Sequence, residues 1–195
     1  MDEAALSIPI VLGSIRAVRR SERPARLLHE RALAAGHASD LIDLRELDLP
    51  MHGSAAATDE HPAIARLRGA IAAADAVVWL SPEYNHSFST PIKNAVDFLG
   101  AQLHRKPMGV CGLSGGQMGG VRAVEQLKAV LIELQAVPIR ESVYFSDAGA
   151  IFDPDGRLVR AEFERRIDYM LAELAWYARA LRWGRRSLPI PERPR

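Results

Sequence analysis

A single cysteine, Cys111, is present in the 195 residues. That excludes an internal disulfide and a four-thiolate zinc site, and it fits a reducing compartment. Charge of one sign is missing as well: the net charge is +1, so there is no chain-wide basic field for nucleic acid and no acidic excess. No apolar run approaches the ~20 residues of a membrane helix. The N-terminal MDEAALSIPIVLGS opens on two acids rather than a basic leader. The expected setting is soluble and cytoplasmic, with neither membrane nor nucleic acid as partner. No fixed-period repeat is visible, and HExxH, GxxxxGK followed by Ser or Thr, and GxGxxG are all absent. The histidines are scattered, and no metal ligand is assigned.

What is there is enough apolar residue, 48%, for one compact domain with a sizeable core. Apolar runs of strand length at 8–12, 39–44, 76–80, 108–113 and 139–144 alternate with segments of helical period. That order predicts an α/β fold, a parallel sheet with crossover helices on both faces. The first helix follows Ser21 with Ala25, Leu28, Ala32 and Ala35 on its stripe, and Gly36 ends it. Asp59 with Pro62 opens the second, and Thr90 with Pro91 caps the third. Gly119 and Gly120 precede the fourth, and a stripe from Phe163 to Leu181 marks the last. Asp153 to Gly156 reads as a turn. From Arg182 the composition shifts to five Arg, one Glu and three Pro. The expected domain is 1–184, with 185–195 a basic, proline-rich tail, either disordered or a partner-binding arm.

Ligands of open parallel sheets bind beyond the carboxyl ends of the strands, which singles out three loops. In the first, Gly13 to Ser21, two hydroxyls (Ser14 and Ser21) and three arginines, of which Arg16 and Arg19 supply the charge, converge on a helix N-terminus, which suits a phosphate monoester. The alternative is that Ser21 only caps the helix and the arginines are solvated. The second, Ser81 to Thr90, carries Pro82, Glu83, Tyr84, Asn85 and His86 over ten residues without a hydrophobic pattern. It reads as a recognition loop, or as a turn in which Glu83 and Asn85 bond locally. The third, Leu113 to Gly120, holds Ser114, Gly115, Gly116, Gln117, Gly119 and Gly120. Its glycines either bring backbone N–H groups close to a flat ligand or simply suit a strand-to-helix corner.

Gly112 to Gly116 also fits GxSxG, the nucleophile elbow of a hydrolase. In that fold the histidine follows the serine, whereas all six histidines here lie upstream of Ser114. Cys111 sits in an apolar strand, where a thiol is inert.

Together the three loops, GSIRAVRRS, SPEYNHSFSTPIKNAVDFLG and GLSGGQMGG, resemble the NADPH-dependent FMN reductase family of the flavodoxin-like superfamily, with its quinone, chromate and azo-dye reductase relatives. The resemblance runs from Ile8 to Ile139, and PEYN followed by a Lys-Asn-Ala helix is its specific part. It implies a flavodoxin-like three-layer sandwich with strand order 2-1-3-4-5, FMN as cofactor and NADPH or NADH as co-substrate. Ser14, Arg16 and Ser21 would hold the FMN phosphate, with Arg19 as a second arginine. Pro82, Glu83, Tyr84 and Asn85 would edge the ring largely through backbone, and Ser114, Gly115, Gly116 and Gln117 its opposite side. One departure is Pro24, which stands in the first helical turn where some relatives have a small or amide residue.

The implied activity passes hydride from NADPH to the flavin and then to a quinone, azo dye, metal oxyanion or free flavin. A homodimer or homotetramer is implied as well. Such chemistry requires two stacked rings within about 3 to 3.5 Å and no obligatory catalytic side chain. The other readings are a non-enzymatic flavodoxin-like electron carrier and a regulatory protein that has lost its flavin.

Overall fold

The computed structural model describes residues 5–191. Five parallel strands lie in the order β2-β1-β3-β4-β5. They are β1 (Ile10–Leu12), β2 (Leu41–Asp43), β3 (Val77–Pro82), β4 (Pro107–Leu113) and β5 (Val137–Phe145). The helices are α1 (Glu22–Ala34), α2 (Leu44–Leu47), α3 (Pro62–Ala73), α4 (Thr90–Asp97), α5 (Val121–Glu133) and α6 (Glu162–Ser187).

Because side chains alternate across a strand, each strand feeds two cores. Ile10, Leu12, Val78, Leu80, Cys111 and Val143 face α1 and α6. Val11, Val77, Trp79 and Val110 face α3, α4 and α5. Arg31 of α1 forks onto Asp168 of α6 at 2.7 and 2.6 Å, joining the two helices of the first layer. The parallel sheet expected from the alternation and the strand order implied by the resemblance are both present, and all five strand segments contain strands.

The boundaries differ for identifiable reasons. Pro9 has no N–H to give the ladder, so the first strand begins at Ile10, with an isolated bridge from Ser7 to Ala38 before it. Leu44, expected in the second strand, starts α2 instead, because the Asp43 carboxylate accepts the N–H of Arg45 at 3.0 Å and turns the chain. Ser81 and Pro82, expected in a loop, pair with Gly112 and Leu113 as the end of β3. The cap of α4 is Ser89 rather than Thr90. At α3 the capping atom is His61 Nδ1, which accepts from Ala63 N, while Asp59 pairs with Arg68.

The expected boundary at 184 falls inside α6, which runs unbroken through Ser187. Arg185 donates to the Arg105 carbonyl at 2.7 Å and Arg182 approaches Asp75 at 3.4 Å, so arginines read as tail anchor the helix against the opposite end of the sheet. The last part of the expected tail, 192–195, and the first four residues lie outside the described residues. Among those described, no helix is long and apolar enough to cross a membrane.

Candidate functional site

A cavity of about 490 Å³ opens at the carboxyl ends of β1, β3 and β4. Nine of the twelve residues singled out from the sequence line it: Ser14, Arg16, Arg19, Ser21, Pro82, Glu83, Tyr84, Ser114 and Gly115.

The first loop leaves β1 over α4. At Gly13 a Cβ would stand 2.3 Å from the end of the Ile92 side chain, so any larger residue here would require Ile92 to shift. Its carbonyl accepts the Ser89 hydroxyl at 2.7 Å, fixing the loop to the start of α4. Arg19 donates to the Ser14 carbonyl at 2.7 Å and forks onto Asp43. The hydrogen bond to Asp43, outweighing burial, holds the Arg19 guanidinium above the ordinary arginine range. With its charge matched by Asp43, Arg19 braces the loop, while Arg16 reaches over the Tyr84 ring at 5.6 Å.

Ser21 answers the question of cap or ligand group. Its backbone is already helical and its hydroxyl makes no capping bond. The residue is 1% exposed, and Ser21 Oγ has no hydrogen-bond partner. A buried hydroxyl facing no partner is costly unless something else supplies one. Here it lies at the N-terminus of α1, where first-turn N–H groups are free. Pro24, buried inside the same turn, forfeits only a donor the helix does not use.

The second loop is tighter than its ten residues suggest. Tyr84 and Ser87 exchange backbone hydrogen bonds at 2.9 and 3.1 Å around Asn85 (φ 48°) and His86 (φ 67°), a two-residue hairpin turn. Asn85 is one of the few residues that accepts a left-handed conformation, and its side chain is exposed outside the cavity. Glu83 joins this loop to α5: its carboxylate accepts the Arg122 N–H at 3.1 Å and the Arg122 guanidinium at 2.9 Å. The cap of α5 is Gly120, which has no side chain to offer, so Glu83 supplies from 39 residues away the negative charge that the helix N-terminus favours. Gln126 adds bonds to the His86 carbonyl and the Ser87 hydroxyl. Across the cavity Tyr84 OH and Ser14 Oγ are 2.9 Å apart, linking the first two loops.

The glycines of the third loop divide by role. At Gly119 and Gly120, with φ of 60° and 86°, a Cβ would strike backbone at 2.7 and 2.5 Å, so these two build the strand-to-helix corner. At Gly115 and Gly116 nothing lies within 4 Å of a Cβ position, leaving open backbone beside the cavity. The Gly116 carbonyl accepts from Ser114 Oγ and Asp147 N. Gly116 and the exposed Gln117 stand outside the cavity wall.

Four lining residues were not singled out from the sequence: Val18, Arg20, Leu113 and Ala148. The last belongs to the loop after β5, where Ala148 N donates to the Ser114 carbonyl. The rule that pointed to three strand ends applied equally to this fourth. Among the described residues no group of three or more His, Cys, Asp or Glu side chains could hold a metal. Cys111 is fully buried and its thiol is pushed up to about 12 by burial, which leaves it no nucleophilic role.

The arrangement suits a ligand with an anionic end and a flat body. An unpartnered hydroxyl, a helix terminus and arginines occupy one end. Side-chain-free backbone at Gly115 and the Pro82–Tyr84 segment occupy the other.

Comparison with known proteins agrees in character. The sequence model of the family described as NADPH-dependent FMN reductase matches residues 6–150. An NAD(P)H-dependent FMN reductase of Pseudomonas aeruginosa is 35% identical over 126 residues, 62% of this chain and 68% of the relative. A quinone reductase of Pseudomonas putida is 29% identical over 161 residues, covering 78% and 84% of the two chains. In three dimensions, a flavoenzyme NAD(P)H:(acceptor) oxidoreductase from Paracoccus denitrificans superposes with a TM-score of 0.72 over 91% of this chain and 98% of that one, at 23% identity.

Proposed function

The chain belongs to the NADPH-dependent FMN reductase family, and from that premise we propose that the cavity described above is its flavin site and that the electrons leave to a quinone-type acceptor. The protein is an FMN-dependent NAD(P)H oxidoreductase, which sets aside the carrier and flavin-free readings. The observation that carries the site is the orphaned Ser21 hydroxyl, 1% exposed at the N-terminus of α1 in a cavity lined by arginine.

In this reading Ser14, Ser21, Arg16 and the first turn of α1 hold the phosphate, with Arg19 and Asp43 keeping the loop in shape. Pro82, Glu83 and Tyr84 edge the ring by their backbone, and Asn85 supports them through its turn conformation. Ser114 and Gly115 close the other side, with Gly116 and Gln117 flanking them. FMN, when bound, supplies the two-electron relay between nicotinamide and acceptor. No side chain has to move a proton for hydride transfer. The residues bind, orient and exclude water, and the N–H groups of the third loop offset the negative charge that reduction creates.

A quinone acceptor is supported by the similarity to the quinone reductase; azo dyes, metal oxyanions and free flavin are tested beside it. A homodimer or homotetramer and a cytoplasmic location complete the proposal on the strength of the family, to be checked by sedimentation and by cell fractionation. The direct test is anaerobic. NADPH should bleach the flavin absorbance of the holoprotein, and a quinone should restore it at a rate matching turnover. A flavin that stays oxidised under NADPH, or a reduced one that ignores quinones, would remove the acceptor assignment.

A further inference from the structure

Along the outer face of α6, Tyr169, Trp176 and Trp183 recur every seven residues and are 58%, 65% and 61% exposed. The helix already buries Phe163, Ile167, Met170, Leu171 and Leu174 against the sheet, so its opposite face is expected to be polar. It is aromatic instead. Two of the three tryptophans of the chain stand there, and the Trp176 ring is steadied by Tyr177, edge-on at 5.1 Å. Rigid aromatic rings exposed together are the anchors of protein interfaces.

The stripe reads the same from both ends. Four residues to either side of Trp176 stand Ala172 and Ala180, both exposed, and seven residues to either side stand Tyr169 and Trp183. Turning a copy of the helix end for end about Trp176 therefore sets Trp176 on itself, Trp183 level with Tyr169, and alanine level with alanine. That is the symmetry of an isologous two-fold contact. Beside the stripe, between α6 and the end of α1, runs a groove of about 370 Å³ lined by Ala34, Ala35, Ala172 and Ala175, with Arg31 and Asp168 in its wall. Small side chains leave the hole, and the same face carries rings that fit it. In the end-for-end arrangement Trp183 of one copy reaches the mouth of this groove on the other. Its Arg186 then comes beside Asp168, whose side chain is still 43% exposed while paired with Arg31. Two copies joined here cover six aromatic side chains, on the order of 700 Å² of exposed ring. The groove walls and arginine stems supply the rest of the roughly 1,200 Å² at which specific interfaces begin, so the contact uses stripe and groove together.

We propose that the outer face of α6 is a two-fold interface with a second copy of this chain, the two helices antiparallel and crossing at Trp176. This rests on the homo-oligomer reading above and deepens it by naming the face. None of the stripe residues lines the cavity assigned to the flavin.

The test compares the full chain with its Trp176→Glu variant by sedimentation over a dilution series, with FMN titration and thermal unfolding to show that the variant is folded. Glutamate at the crossing point sets two carboxylates against each other and should raise the dissociation constant of this contact about a hundredfold or more. The mass should fall by half while FMN binding is unchanged. Trp183→Glu, which leaves the crossing point intact, should act in the same way. Under oxidation Trp176→Cys should form a disulfide-linked pair, whereas Ala172→Cys should not, because its two copies stand about 12 Å apart along the axis. Cys111 is buried and does not compete. A disulfide at Ala172→Cys in place of Trp176→Cys would overturn the antiparallel register. A wild type that stays monomeric overturns the homo-oligomer reading and this interface with it. An oligomer that keeps its mass in both glutamate variants is built on another face, which overturns this inference alone and leaves the stripe to a partner of another kind.

Discussion

Ser21→Ala separates a ligand group from a helix cap by the sign of two effects. A serine that caps a helix stabilises it, and replacement by Ala costs about 0.5 to 2 kcal/mol. Ser21 makes no capping bond, and its oxygen is buried without a partner. Deleting such a group relieves a desolvation penalty of about 1 to 3 kcal/mol, offset in part by the small void it leaves. The flavin-free variant is therefore expected to be as stable as the wild type or up to about 1 kcal/mol more so. For a chain of this size that is roughly 2 to 4 °C in Tm. The same hydroxyl, donating to a phosphate oxygen, contributes about 1.5 to 3 kcal/mol to FMN binding. The Kd for FMN should then rise by roughly 10- to 150-fold. Thermal unfolding of the stripped protein and fluorescence titration with FMN give both quantities from one preparation. A drop of several degrees in Tm would make Ser21 structural, and an unchanged Kd would remove it from the site.

Arg16→Ala is expected to weaken FMN by roughly 1.5 to 3 kcal/mol, and riboflavin, lacking the phosphate, should bind the wild type far more weakly than FMN; equal titrations of the two flavins would refute the phosphate end. In the third loop, Gly120→Ala places a Cβ 2.5 Å from the Leu113 nitrogen at a φ of 86° and should lose about 3 kcal/mol or more in urea unfolding, because backbone cannot yield. Gly115→Ala, with nothing within 4 Å, should leave stability unchanged and lower FMN affinity; equal stability losses at the two positions would erase the division of roles. Lys106 donates to the Ile71 and Ala72 carbonyls at the end of α3, and burial, aided by Arg185, pushes its ammonium down to about 8. Between pH 8 and 10.5 the unfolded chain keeps a proton that the folded chain has released, so this group makes stability rise with pH in that window. Unfolding free energies of the wild type and Lys106→Met should diverge there in favour of the wild type, and parallel curves would mean that Lys106 titrates normally.

The parallel sheet with helices on its faces was readable from alternation, strand-length apolar runs separated by helical stripes, whereas its order 2-1-3-4-5 came from the family resemblance. What composition hid were contacts between distant segments. The arginines from Arg182 onward look like a solvated tail until Asp75 and the Arg105 carbonyl are brought beneath them. Asp43 looks like the edge of a strand until its carboxylate is seen to turn the chain into α2 and to hold Arg19 as well. Neither partner can be inferred from spacing, since 24 residues separate Asp43 from Arg19 and 80 separate Arg185 from Arg105.

The same distinction runs through the site. Motif residues name a place, and the structure assigns separate tasks within it. Glu83 stands in the most specific motif, yet its carboxylate is spent on α5, where a glycine cap leaves the helix N-terminus without a side-chain acceptor. Asn85 is needed for a left-handed turn, and Gly119 and Gly120 for a corner. In the proposed site each of these residues would act on the ligand through backbone it holds in position. In the proposed site the side chains left to touch a phosphate directly would be few: Ser14, Arg16 and Ser21, in a loop whose isolated GS-x-R pattern is the least specific of the three. The motif that identifies the chain is thus largely scaffold, and in the proposed site the ligand's anionic end would depend on a hydroxyl whose unsatisfied state only a folded chain reveals.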